Sequence, residues 1–333
     1  MKLGLFLTPG AARTAYQVGA VQALINDGGL RFDVIGASSV GSLNGAFAAT
    51  GQVDRLAELW ASWRNDDILG IDYRAIVRRL FFWSTNLMHN RPQKTEVIDR
   101  YLGDAKLLDG TTFTMNLADL TNGCEHYLSW PGSDWALAEG VNASVAVPAA
   151  IAPYERSGRQ FADGLTINGF PLEALVLNTG VQRVFVVGVT PREPPANVPT
   201  GLFGSALTAF EWNQYSETSL GLARVQLTQD RIRRFASALL TIRDLVAESV
   251  ADEANSETLL RAIDDKVAAV TSFSLTPVEV ITIMPRRPTK MFFTNYDPRR
   301  SQRLLADGRQ DAIDVLAALN EAGFEQAGSS GCG

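Results

Sequence analysis

Two adjacent serines lie in residues 37–41, where a predicted strand ends and a predicted helix begins. Ala37, Ser38, Ser39, Val40 and Gly41 follow one another, which fits a G-x-S-x-G turn whose first glycine is replaced by alanine. A serine on such a turn can attack an acyl carbonyl, because the helix N-terminus beside it favours negative charge. Ser39 has the better phasing, since choosing Ser38 would put Val40 at the second glycine. The alternative interpretation is a serine that only caps the helix.

The elements that would position this serine alternate between strand and helix. Apolar runs predict strands, and 3.6-residue spacing of apolar side chains predicts helices between them. This order is typical of a parallel sheet with crossover helices. The predicted strands are Leu3–Leu7, 32–35, 113–117, 183–189 and 278–284, and the first two predicted helices are 13–25 and 42–50.

Two longer helical patterns follow later in the chain. After Arg231, apolar residues recur in one stripe with arginines on the other side, at Ile232, Phe235, Ala236, Leu239, Ile242 and Val246. Residues 298–327 predict a final helix pair broken near Gly308. We interpret residues 203–270 as a helical insertion.

Composition excludes several classes of protein. The chain has 333 residues, of which 46% are hydrophobic and 20% are charged, so it can bury a large core. A net charge of −6 disfavours nucleic acid as a partner. The cysteines, Cys124 and Cys332, do not predict a structural disulfide, and the apolar run at the N-terminus is too short for a secretion signal. We therefore expect a cytoplasmic protein whose membrane contact, if any, is peripheral.

Four motifs in sequence order resemble the patatin-like phospholipase family. The family loop G-G-G-x-R-G is similar to Pro9-Gly10-Ala11-Ala12-Arg13-Thr14. The family elbow followed by A-[LI]-N-A is similar to Ser-Val-Gly-Ser-Leu-Asn-Gly at 39–45. A family A-S-x-A-x-P segment matches 143–148, and D-G-[GA] followed by N-x-P is similar to 163–171. The resemblance covers most of the chain.

The resemblance implies an α/β fold: a three-layer sandwich of a central, mostly parallel sheet and flanking helices. It implies one patatin-like domain over residues 1–325, followed by a flexible tail at 326–333. It also implies a serine acyl hydrolase that cleaves phospholipid or other acyl esters, without cofactor or metal. The oligomeric state does not follow from these motifs.

The resemblance further implies a catalytic dyad of Ser39 and Asp163, with Gly164 supporting the turn. A Ser-His-Asp triad in the α/β-hydrolase order needs a histidine after the acid. The histidines of this chain are His89 and His126, so none follows Asp163. An ordinary aspartate has a pKa of about 3.9, so a direct aspartate base depends on partial desolvation to become more basic. An Asp-Gly pair is also a common turn signal.

The loop after the first strand should supply the oxyanion hole, through Gly10, Ala11, Ala12 and Arg13. It departs from the family pattern at Pro9, which has no N–H to donate, whereas Gly10 and Ala11 keep theirs. Ala37 and Gly41 should support the elbow. Two alternatives stay open. Acyl transfer to an acceptor other than water is disfavoured by the lack of a suitable histidine, and a non-catalytic lipid-binding scaffold is supported by the altered loop.

Two aromatic clusters are candidates for a lid or an acyl-chain wall. The first is 78–83 with Leu87 and Met88, and the second is 201–204 with Leu207, Phe210 and Trp212. Ordinary core packing is the alternative for both. His89 and His126 are expected to be structural, because these histidines and Cys124 do not have the spacing of a zinc site.

Overall fold

The computed structural model describes residues 1–64, 69–70, 89–90, 92–148, 151–191, 202–249, 258–262, 264–265, 278–286 and 296–322. The strands are β1 Leu3–Leu7, β2 Val34–Ala37, β3 Leu69–Gly70, β4 His89–Asn90, β5 Thr112–Asp119, β6 Cys124–Trp130, β7 Tyr154–Arg156, β8 Arg159–Asp163, β9 Arg183–Val187 and β10 Glu279–Ile283. The helices are α1 Ala15–Gln22, α2 Val40–Ala49, α3 Val53–Ser62, α4 Pro92–Leu102, α5 Leu137–Ser144, α6 Leu172–Leu175, α7 Leu202–Ser249 and α8 Pro298–Glu321.

The central sheet is mostly parallel. Strands β10, β9, β1, β2 and β5 lie side by side in that order, and every pair is parallel. Strands β6 and β8 pair antiparallel with β5, and β7 pairs antiparallel with β8. All residues of β1 are buried, as expected for a strand covered on both faces.

Helices cover both faces of this sheet. Leu5 and Leu7 of β1 belong to a core cluster formed with α1, α2, α3 and α8. Phe6 of the same strand belongs to a second cluster, with α6 and with Val225 of α7. Successive side chains of a strand point to opposite faces, so the sheet lies between two helical layers. The predicted three-layer α/β sandwich is confirmed.

Helix α7 packs on the second face through one side only. Gln229 accepts a hydrogen bond from the backbone N–H of Val278 at 2.8 Å. A Cβ on Gly221 would lie 2.2 Å from the Phe170 ring, so the helix approaches that ring closely. Much of α7 falls in the predicted insertion at 203–270, whereas the segment 78–83 and the tail at 326–333 lie outside the described residues. The domain boundaries stay a prediction.

The predicted break in the last helix is wrong. Helix α8 runs without interruption from Pro298 to Glu321. A Cβ on Gly308 would lie 1.9 Å from the carbonyl oxygen of Tyr16, and a Cβ on Gly19 would lie 1.9 Å from that of Leu305. Gly308 is therefore a point of close approach between α8 and α1, and it does not end the helix.

Candidate active site

Two strands that share one edge of β5 bring Ser39 and Asp163 together. Strand β6 occupies the other edge of β5 along its whole length. On the shared edge, Ala37 at the end of β2 pairs with Met115, and Asp163 at the end of β8 pairs with Leu117. Because β2 is parallel and β8 antiparallel to β5, their carboxyl ends face each other. Ser39 lies two residues after the end of β2 and reaches Asp163 across this gap.

Ser39 lies on a strained turn. Its φ is 56° and its ψ is −136°, a conformation that costs a non-glycine residue on the order of 1–3 kcal/mol. It occupies the N-cap position of α2, but its hydroxyl makes no cap hydrogen bond. Instead, Ser39 Oγ donates to Asp163 Oδ2 at 2.5 Å. The capping alternative therefore does not describe this side chain. Ser38 Oγ is buried and has no hydrogen-bond partner in the described part of the chain.

The Asp163 carboxylate is fixed at both oxygens. Oδ2 accepts the Ser39 hydroxyl, and Oδ1 accepts the backbone N–H of Leu165 at 2.9 Å. The backbone N–H of Asp163 donates to the carbonyl of Ala146 at 2.9 Å, and Ala146 lies within the motif segment 143–148. Both side chains of the Ser39–Asp163 pair are buried, at 3% and 1% exposure. The hydroxyl and the carboxylate are thus held together out of bulk water.

Small residues allow the close packing around this pair. A Cβ on Gly41 would lie 2.7 Å from the carbonyl oxygen of Leu7, so only glycine lets α2 approach the end of β1. A Cβ on Gly164 would lie 2.5 Å from the Asn116 side chain. Ala37 is fully buried. The residues predicted to support the elbow therefore lie where the backbone is most crowded.

The loop after β1 packs against the end of the neighbouring strand. A Cβ on Gly10 would lie 2.3 Å from Val189, and Ala11 has a φ of 48°. Residues Ala11–Thr14 form a short 3₁₀ helix, whose first N–H groups have no partner within the helix. The backbone N–H of Arg13 donates to the carbonyl of Gly10 at 3.1 Å. Of the predicted oxyanion donors, the Arg13 N–H thus already has an acceptor.

A buried polar network holds this loop, and the sequence patterns did not reveal it. Gln17 Nε2 donates to the carbonyls of Thr8 at 2.7 Å and Val187 at 3.1 Å. Asn44 Nδ2 donates to the carbonyl of Thr14 at 3.0 Å. These amides link the ends of β1 and β9 to α1 and α2. The available signal was polar side chains inside otherwise apolar helical segments.

Arg13 links the loop to α7. Its side chain is buried and donates through Nη2 to Gln214 Oε1, and Gln214 is buried as well. Arg13 was predicted among the oxyanion residues, and the structure shows its side chain tied to a helix 201 residues further along the chain. Gln214 itself belongs to no motif.

Gln214→Leu should therefore lower kcat while KM changes little. Loss of one hydrogen bond from a buried guanidinium costs about 1–3 kcal/mol, and we expect the resulting shift of the loop to lower kcat roughly tenfold. Gln214→Glu keeps an acceptor and should restore kcat. Asn213→Leu, at an exposed neighbouring position, is the matched control. Steady-state kinetics on a soluble ester test this, and an unchanged kcat in Gln214→Leu would exclude a positioning role.

His126 lies apart from the Ser39–Asp163 pair. It pairs with Leu117 on one edge of β5, whereas Asp163 pairs with Leu117 on the other, about 10 Å away. The His126 ring contacts Trp135 and Phe161. Burial, and then the nearby arginine charge, lower the pKa of His126 below its usual value. This histidine packs as a largely neutral ring and does not reach Ser39.

Asp119 anchors the strand that carries Asp163. Its carboxylate accepts hydrogen bonds from Arg159 of β8 and from Asn122 in the β5–β6 turn. Burial would raise the pKa of Asp119, but these hydrogen bonds outweigh burial and lower it to about 2. Asp119 is therefore ionised at neutral pH and ties β8 to β5 two residues away from the site.

The other residues predicted from the sequence either lie outside the described residues or are not seen to contact the Ser39–Asp163 pair. The side chain of His89 and the side chains of 201–211 lie outside the described residues. Trp212 is partly exposed and packs edge-on against Tyr215. Among the described residues, no group of three or more potential ligands is placed to hold a metal ion. Also within them, no helix combines the length and the apolar composition needed to cross a membrane.

A strained serine between a parallel strand and a helix, with a carboxylate on its hydroxyl, is the arrangement that a serine acyl hydrolase needs. The model of the patatin-like phospholipase family matches residues 5–176, just over half of the chain. The chain belongs to this family, whose members are generally lipid acyl hydrolases. The matched range contains Ser39, Asp163 and the loop at Gly10.

Comparison with individual proteins gives only weak similarity. A search of curated proteins finds no significant match. VipD from Legionella pneumophila is 13% identical, with a TM-score of 0.45, over 95% of this chain and 67% of VipD. ExoU, in its complex with SpcU from the type III secretion system of Pseudomonas aeruginosa, is 13% identical, with a TM-score of 0.30, over 96% of this chain and 75% of that chain. At these scores neither structure supports an assignment, so the assignment of this chain to a family depends on the match to the family model.

Proposed function

We propose that this chain hydrolyses acyl esters of lipids, with Ser39 as the nucleophile and Asp163 as the base. The observation that carries the proposal is the 2.5 Å hydrogen bond from Ser39 Oγ to Asp163 Oδ2, made from a strained serine. The second carboxylate oxygen is held by Leu165 N–H. The base therefore needs no histidine to orient it.

In the first step, Ser39 Oγ attacks the carbonyl carbon of the ester and its proton passes to Asp163 Oδ2. The N–H groups of Gly10, Ala11 and Ala12 are the proposed donors to the tetrahedral oxyanion. Collapse of this intermediate breaks the bond to the alcohol, which leaves with the proton from Asp163. The acyl group stays on Ser39.

In the second step, water attacks the acyl carbonyl and gives its proton to Asp163. Collapse releases the fatty acid, and the proton returns to Ser39 Oγ. Burial of Ser39 and Asp163 supports direct transfer, because bulk water does not compete for the hydroxyl proton. The expected partners are phospholipid or related acyl esters.

The test is hydrolysis of p-nitrophenyl esters of graded chain length, together with labelling by a fluorophosphonate probe. We expect hydrolysis by the wild type and a probe adduct on Ser39, located by mass spectrometry. Ser38→Ala is the matched control and should still be labelled. A folded wild type that neither hydrolyses esters or phospholipid vesicles nor takes the probe would contradict the proposal and favour a lipid-binding scaffold.

A further inference from the structure

Helix α7 carries a second apolar face that does not touch the core. Leu220, Leu227, Phe235 and Ile242 are large hydrophobic residues that are 48–61% exposed. After Gln229, none of the α7 residues whose burial the structure describes is buried. Exposed apolar groups in a continuous patch mark interaction surfaces. We name these four residues the exposed stripe.

The stripe is a single line along the helix. At 3.6 residues per turn, its four members fall within about 80° of the helix circumference. The buried side of α7, formed by Gln214, Thr218, Val225 and Gln229, is centred roughly 130° away. The stripe is therefore a separate face and not the edge of the core.

Basic residues accompany the stripe. Residues 220–245 contain five arginines and two aspartates, a net charge of +3 in a chain whose net charge is −6. Arg224, Arg231 and Arg234 lie on the stripe or at its borders by helical spacing. Among the described residues, no acidic side chain forms a salt bridge with any of these three arginines. By contrast, Arg233 forms a salt bridge with Asp230, and Arg243 forms one with Asp264.

We propose that the exposed stripe and its arginines dock α7 on an anionic lipid surface. An interfacial helix combines large apolar side chains with lysines or arginines, and arginines that lie between apolar residues can extend their charged ends to the headgroups. Both features are on the same face here, and the positive charge complements anionic headgroups. Two copies paired through this face would instead bring the arginines of one helix close to those of the other. The choice of lipid as partner rests on the proposed function.

Flotation with lipid vesicles tests the docking face. Ser39→Ala protein should bind vesicles of phosphatidylcholine with about 30 mol% phosphatidylglycerol, and bind pure phosphatidylcholine less. In the same background, Phe235→Asp with Ile242→Asp should weaken binding at least about tenfold. Ser237→Asp, exposed on another face of the helix, adds a carboxylate without removing an apolar group and should change binding by less than about twofold.

A second pair of variants isolates the charge. Arg231→Gln with Arg234→Gln should weaken binding roughly 30-fold, because each arginine near an anionic surface contributes about 1 kcal/mol. Arg233→Gln with Arg243→Gln removes the same charge from the other side of the helix and should have a much smaller effect. Equal losses in the two pairs would overturn the proposal.

Two further outcomes would overturn the inference. One is a Ser39→Ala protein that does not bind the anionic vesicles. The other is a dimer in analytical ultracentrifugation that Phe235→Asp with Ile242→Asp converts to a monomer while vesicle binding persists. Hydrolysis of p-nitrophenyl butyrate by the wild type tests the active site separately. A protein that cleaves this soluble ester but does not bind vesicles would contradict the proposed docking of α7 and leave the proposed active site intact.

Discussion

Asp163→Asn should abolish ester hydrolysis as completely as Ser39→Ala, with each variant at least about 10⁴-fold below the wild type in kcat. Asparagine has nearly the shape of aspartate, and its carbonyl oxygen can still accept the N–H of Leu165. It cannot take the proton of Ser39 Oγ. Because Ser39 and Asp163 act in one step, the double variant should be no slower than either single variant. Single-turnover and steady-state rates on a p-nitrophenyl ester measure this.

Asp119→Asn is the matched control for Asp163→Asn. Asp119 is also a buried carboxylate next to the end of β8, but it pairs with Arg159 and Asn122 instead of the nucleophile. Its substitution should lower the midpoint of thermal unfolding and leave most of kcat. If Asp163→Asn keeps more than about a tenth of the wild-type kcat, the base must be another group.

The parallel half of the sheet could be predicted from the sequence, because its strands are short apolar runs and β1, β2 and β9 are buried on both faces. Strands β6, β7 and β8 could not. Of Cys124–Trp130, only Leu128 and Trp130 are buried, and the pairing of Tyr154–Arg156 with Arg159–Asp163 lies at the edge of the sheet, where many side chains are polar. One solvated face should give a clear alternation of apolar and polar residues, but these strands contain too few apolar residues to show it.

Ser39 and Asp163 could be predicted as a pair only through motifs, because 124 residues separate them. The two residues lie close together because β8 pairs antiparallel with β5. No local sequence pattern predicts this pairing. Gln214 shows the limit of this approach. It contacts Arg13 across 201 residues, and a glutamine on a long helix has no distinguishing neighbours in the sequence.

Helix α7 shows a different limit. The sequence predicted one apolar stripe that includes Phe235 and Ile242, with arginines on the other side. In the structure both residues are largely exposed, and Arg231 and Arg234 lie beside them by helical spacing. Periodicity locates apolar residues on a helix but does not show which of them are covered. The sequence pattern therefore did not separate the exposed stripe from the side of α7 that packs on the core.

Gly308→Ala should destabilise the protein, although alanine is the better helix former. In a free helix the change would stabilise by about 1 kcal/mol. Here the new Cβ would lie 1.9 Å from the carbonyl oxygen of Tyr16, and backbone atoms cannot rotate away as a side chain can. Helices α1 and α8 would have to separate, which we expect to cost about 3 kcal/mol net and to lower the unfolding midpoint by about 4 °C.

The same substitution should reach the active site, because α1 follows directly from the loop that contains Gly10 and Ala11. Hydrolysis well below the unfolding midpoint should fall as that loop shifts. Ala306→Gly, at an exposed position of α8, is the control and should cost only about 1 kcal/mol of helix propensity. If Gly308→Ala instead raises the unfolding midpoint, α1 and α8 do not approach each other closely at this glycine, and the proposed reason for the glycine is wrong.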